Sequence, residues 1–165
     1  MTMRAEANDL RLVWAGMASD CAMSGGDLAA ESGLETAVIL SLFCDARARE
    51  DDVIPDGTGY RRGWWADSVA PLASGGLTVR EDAAAAHDRI GSRLWLLGRE
   101  KQLAEVVRRA KDYAEEALAW LIDDGVASGV SVTPSVPRRG WLMLDIRISL
   151  ADGGEYRQGL EYPLA

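Results

Sequence analysis

Residues 103–150 read LAEVVRRAKDYAEEALAWLIDDGVASGVSVTPSVPRRGWLMLDIRISL, and the hydrophobic period changes partway along. From Leu103 to Asp124 the apolar residues Leu103, Val106, Val107, Ala110, Ala114, Ala117, Leu118 and Leu121 recur at i, i+3, i+4 and i+7. That spacing puts them on one stripe of a helix. Gly125 stands where a helix-ending glycine belongs. Beyond it the period becomes two. Val130 and Val132, then Leu142, Leu144, Ile146, Ile148 and Leu150, alternate with small or polar residues. Pro134 to Gly140 separates those two runs, and Asp152-Gly153-Gly154 precedes a third run, Tyr156 to Tyr162. A three-stranded antiparallel meander with one apolar face follows from this pattern.

Working outward, Leu34 to Phe43 is a nearly continuous apolar run with Glu35 at its start and Asp45 just past its end, which favours a helix over about 34–44. Ile90 to Leu97 reads as a short helix ended by Gly98. The expected fold is α+β: three helices, about 34–44, 90–98 and 103–124, packed on a mainly antiparallel sheet. Leu10 to Trp14 reads as a short strand, and Ser24-Gly25-Gly26-Asp27 as the turn of an N-terminal hairpin. One domain spans 1–165, with residues 1–9 frayed and 70–88 a mobile inserted loop, Ala- and Gly-rich with few large apolar anchors.

Eighteen Lys and Arg against 26 Asp and Glu leave a net charge of −8. Nucleic acid and anionic membranes both demand a basic face, so neither is the expected partner. Sixteen of the 18 basic residues are arginine, a bias that suits bidentate ion pairs and interfaces. Cys21 and Cys44 are too few for a disulfide framework, no apolar leader opens the chain, and no 18-residue apolar run occurs.

The adjacent carboxylates Asp51-Asp52, Glu115-Glu116 and Asp123-Asp124 point too far apart to flank a glycosidic bond, and Glu115-Glu116 reads as part of the solvated side of the long helix. His87 is the only histidine, so a metal site or a histidine-activated nucleophile has no framework. No catalytic residue, cofactor, metal or small-molecule substrate is expected. The unusual stretch is Arg61-Arg62-Gly63-Trp64-Trp65. Trp and Arg dominate binding hot spots, so Arg61, Arg62, Trp64 and Trp65, together with Arg47, are the candidate partner-binding residues. The competing reading makes the tryptophans a cap on the core and pairs the arginines with Asp56 and Asp67; stacking on nucleobases fits the acidic chain least. In an extended segment successive side chains point to opposite sides, so one tryptophan would face in and the other out.

Several blocks resemble the Mu-like phage baseplate protein family. They are Gly33-Leu34-Glu35-Thr36-Ala37-Val38, Ser41-Leu42-Phe43, Asp45, Arg47, Pro55-Asp56-Gly57, Arg62-Gly63-Trp64-Trp65-Ala66-Asp67, Ile90-Gly91-Ser92-Arg93-Leu94-Trp95-Leu96-Leu97, Arg99 and the run from Tyr113 to Leu121. They occur in the family's order and cover roughly residues 10 to 150. The resemblance implies a compact α+β domain without catalytic function. Such a protein is a small wedge subunit of a contractile-tail baseplate, in a phage or prophage. It contacts larger wedge proteins, helps initiate the sheath, and ends in the virion after assembly in the bacterial cytoplasm. Two other readings stay open beside it: a cell-wall hydrolase carried on the baseplate, and a small adaptor domain of the same fold outside phages.

Overall fold

A computed structural model of the chain describes residues 9–15, 18–31, 33–63, 69–71, 77–79, 90–98 and 103–164. Its centre is the C-terminal meander. Strands β9 (Ala127–Arg138), β10 (Trp141–Leu150) and β11 (Glu155–Pro163) pair antiparallel in the order β11-β10-β9. Alternation decides the faces. Leu142, Leu144, Ile146 and Ile148 of β10 are buried with Val132 of β9 and Leu160 of β11, while Asp145, Arg147 and Ser149 face out. Helix α2 (Leu103–Leu118) lies across β9, burying Val106, Ala110, Tyr113, Ala114, Ala117 and Leu118. Three alanines on that stripe let the helix axis come close to the sheet.

Helix α1 (Glu35–Phe43) is apolar almost all round, as a buried helix must be. It buries Val38, Ile39, Ser41 and Leu42, and Ser41 Oγ accepts the Trp120 indole N–H at 3.0 Å.

Ahead of α1, six short strands form three two-stranded ribbons. They are β1 (Asp9–Leu10), β2 (Leu12–Ala15), β3 (Ala18–Cys21), β4 (Met23–Ser24), β5 (Asp27–Leu28) and β6 (Ala30–Glu31). The pairs are β2-β3, β4-β5 and β1-β6, all antiparallel. The turn at Gly25-Gly26, both at positive φ, joins β4 to β5. The ribbons meet at three residues. The Arg11 N–H donates to Ala29 O at 2.9 Å, Ala22 to Arg11 O at 2.8 Å, and Ala29 to Ala22 O at 2.8 Å, a closed ring. The unit is fastened to the body by Trp14. Its ring stacks on Phe43 with centroids 3.7 Å apart, Phe43 stacks in turn near Tyr162, and its indole donates to Glu161 O at 2.6 Å.

The expected three helices on one sheet are not what the chain builds. It is α+β, but the described strands fall into one three-stranded and four two-stranded sheets. The segment 90–98 holds only a 3-10 turn, Leu94–Leu97. Residues 91–93 cannot be helical because Ser92 bridges in parallel to Asp45 and Gly91 sits at φ +104°. The expected helix 103–124 is interrupted at Ala119. There Ala119 N donates to Glu116 O and Ile122 N to Ala119 O, i→i+3 bonds that separate α2 from a last turn, α3 (Trp120–Asp123). Strand β9 also runs on through Pro134 and Pro137, which had read as a separator; an edge strand tolerates proline. Strands β7 (Val69–Pro71) and β8 (Leu77–Val79) pair within the segment read as an inserted loop, whose other residues and His87 lie outside the described ones.

Leu118 is fully buried between α2 and the sheet. Leu118→Ala is expected to cost about 2–5 kcal/mol, read from the shift in urea midpoint at unchanged m-value. The Tyr162 phenol is pushed up to about 12 from 10.0, first by burial and then by Asp45 nearby. The folded state therefore resists its ionisation. Its share of stability is intact below pH 10 and is lost as pH rises towards 12. Tyr162→Phe should flatten that part of a stability-versus-pH curve.

Candidate functional site

Gly91 closes the core of the site. A Cβ there would lie 2.6 Å from Cys44 O, so only glycine lets segment 91–93 reach the end of α1. Ser92 N donates to Cys44 O and Ala46 N to Ser92 O, both at 2.9 Å, while Ser92 Oγ donates to Leu42 O at 2.6 Å. The Trp95 indole donates to Ala46 O at 2.9 Å.

This clamp delivers Arg93, only 9% exposed, under the loop that follows α1. Arg93 Nη1 donates to both oxygens of Asp52, at 2.9 and 3.0 Å, and Nη2 to Glu116 Oε2 at 2.5 Å. Its guanidinium lies 4.4 Å above the Tyr113 ring. Nε is buried without a hydrogen-bond partner. Arg49 joins from the loop side: Nη2 donates to Glu116 Oε1 at 2.7 Å and its backbone N–H to Asp52 Oδ2 at 2.7 Å. Burial by itself would lower the Arg93 pKa, but the hydrogen bonds to Glu116 and Asp52 outweigh it and hold the group above its ordinary value. An open cleft of about 680 Å³ runs beside this network, between loop residues 49–53 and α2.

The sequence-selected residues divide. The Arg61 guanidinium is turned onto the carbonyls of Arg49 and Glu50, and its own carbonyl accepts from Ala48 N at 2.9 Å. Arg62, at φ +51°, pairs with Asp45 at 2.7 Å and lies 4.4 Å above the Trp95 ring. Asp45 thus takes the place expected for Asp56, and Asp67 lies outside the described residues. Arg47 is exposed and makes no ion pair among the described residues; its Cβ would be 3.0 Å from any Cβ on Gly63. Trp64 and Trp65 lie outside the described residues.

Arg93, Asp52 and Glu116 were missed as a group. Glu116, expected on the solvated side of the long helix, binds two arginines, and its neighbour Glu115 accepts the Val132 N–H at 3.1 Å. The available signal was a lone arginine heading the run Leu94-Trp95-Leu96-Leu97. A charge that close to a buried run must bring its own partners.

Comparison with known proteins gives this arrangement a context. Residues 34–155 match the family model described as "Phage protein GP46". The chain is 42% identical over 146 residues to "Baseplate protein gp46" of Escherichia phage Mu, covering 88% of this chain and 89% of that protein. It is 36% identical over 146 residues to "Mu-like prophage FluMu protein gp46" of Haemophilus influenzae, covering 88% and 90%. No solved structure matches it. The chain belongs to the GP46 family of Mu-like phage baseplate proteins.

Removing the Arg93 side chain would leave Asp52, itself 10% exposed, as an unpaired buried charge. Arg93→Ala is expected to cost about 3–5 kcal/mol in urea unfolding. Arg93→Lys should recover only part of this, since one ammonium cannot stand in both for Nη1 at Asp52 and for Nη2 at Glu116.

Proposed function

We propose that this chain is a non-catalytic structural component of the baseplate wedge of a contractile phage tail or prophage particle, contacting larger wedge subunits and helping to initiate the sheath. The observation that carries the baseplate reading is the near end-to-end likeness to the phage Mu baseplate protein. Assembly of the virion in the host cytoplasm accompanies that reading.

The two edges of the meander support a sheath-initiating role. On β9 the Val132 N–H is taken by Glu115, and Pro134 and Pro137 have no N–H to offer. On β11 the Glu161 carbonyl is taken by Trp14. Backbone groups alternate along an edge strand, so those of Glu155, Arg157 and Gly159 face the same way as Glu161 O. They pair with no other strand among the described residues. A partner strand can add there.

The hydrolase alternative finds little in the cleft. A glycosidase needs two carboxyl groups offered to substrate. Asp52 is bound through both oxygens to Arg93, Glu116 through both to Arg93 and Arg49, and Glu105 and Asp112 pair with Arg108, which leaves Asp51 as the one cleft carboxylate without an ion pair among the described residues.

Purified tail particles should contain the chain, and particles made without it should lack sheath. Its absence from purified tails would overturn the reading. Arg157→Pro removes one outward N–H from β11 while leaving the β10 ladder intact; it should preserve the melting temperature and reduce sheathed tails.

A further inference from the structure

Residues 48–61 form a closed surface loop, its two ends joined by the Ala48 N to Arg61 O bond. Loops of this size with joined ends are often functional. This one is held from inside at many points. Arg61 binds two loop carbonyls, Asp52 is fixed by Arg93, and Ile54 packs against the core. Asp56 Oδ1 accepts from Thr58 N at 3.0 Å and Thr58 Oγ1 at 2.8 Å, and Thr58 Oγ1 accepts from Tyr60 N at 3.2 Å.

That rigid loop displays Val53 at 80% and Tyr60 at 70% exposure, more than any other large apolar side chain among the described residues. Holding an exposed tyrosine on a stapled loop meets the ordering cost of binding before a partner arrives. Among the described residues, the loop charge left without an ion pair is negative. Arg49, though exposed, is paired with Glu116 and Arg61 is bound to loop carbonyls, whereas Glu50 and Asp51 are exposed and form no ion pair among the described residues.

We propose that the 48–61 loop is a preformed docking element. Val53 and Tyr60 are its anchors, and its partner is another baseplate subunit whose apolar pocket is rimmed by Lys or Arg. This rests on the baseplate reading and names the contact surface within it. Arg61 of the sequence motif then acts as a staple of the loop.

The test compares incorporation of the full-length chain into tail particles for wild type, Val53→Asp, Tyr60→Ala, the pair Glu50→Lys with Asp51→Lys, and Asp123→Lys as a surface-charge control. Each isolated variant is also melted. Val53→Asp and Tyr60→Ala should each lower incorporation about thirtyfold, the range of a binding hot spot, with melting unchanged. The acidic pair should lower it about tenfold by charge reversal against a basic rim, and the control should not. Wild-type incorporation by both anchor variants would overturn the proposal while leaving the baseplate reading intact. Wild-type incorporation by the acidic-pair variant would overturn the basic-rimmed partner. A solution dimer of the isolated chain that Tyr60→Ala dissolves would also overturn it, since the occupant would be a second copy. A wild-type chain missing from particles would overturn both readings together.

Discussion

A buried arginine cannot be left alone, and the fold around the site is arranged to answer that demand. Arg93 is carried inward by the Gly91–Ser92 clamp on the end of α1, and the carboxylates that meet it come from two distant parts of the chain. Asp52 arrives on the loop after α1 and Glu116 on the last turn of α2. One side chain therefore ties loop, helix and clamp together. Replacing a buried ion pair with apolar residues is often neutral for stability. What Arg93 supplies beyond that is position: the loop has no ladder of its own, and its path over α2 is fixed by where Asp52 must lie.

The regular elements with a long, clean period were legible in the residues. The stripe from Val106 to Leu118 and the alternation of Leu142 to Ile148 both emerge as buried faces. The failures have definite causes. Ile90 to Leu97 has a helix's composition, but its course is decided by a bridge to Asp45, nearly fifty residues away, which no local window reveals. The single sheet was an over-reading, because short strands such as Met23–Ser24 pair only with their immediate neighbours. At the site, Arg61 and Arg62 were recognisable as unusual, but their partners were not. Arg61 binds backbone carbonyls, which have no sequence signature, and Arg62 chooses Asp45 over the nearer Asp56.

The body of the protein treats its surfaces unequally. The β9 edge is covered by a helix carboxylate and interrupted by prolines, the common ways of blunting a strand edge, while among the described residues β11 is closed only where Trp14 reaches it. The 48–61 loop is likewise finished on its inner side and bare on its outer side. Such asymmetry suits a part that is built to be joined on some faces and left alone on others.

The ring of hydrogen bonds at Arg11, Ala22 and Ala29 carries one more consequence, for truncation. Each residue both donates to one neighbour and accepts from the other, so removing any one strands an N–H and a carbonyl on the remaining two. The three ribbons are too short to have a core of their own. They thus lean on one another through this junction. Trimming the chain through Leu10 removes strand β1 and with it the β1-β6 pairing; trimming one residue further, through Arg11, also removes the junction that ties in the hairpin at Gly25-Gly26, fourteen positions away in the chain.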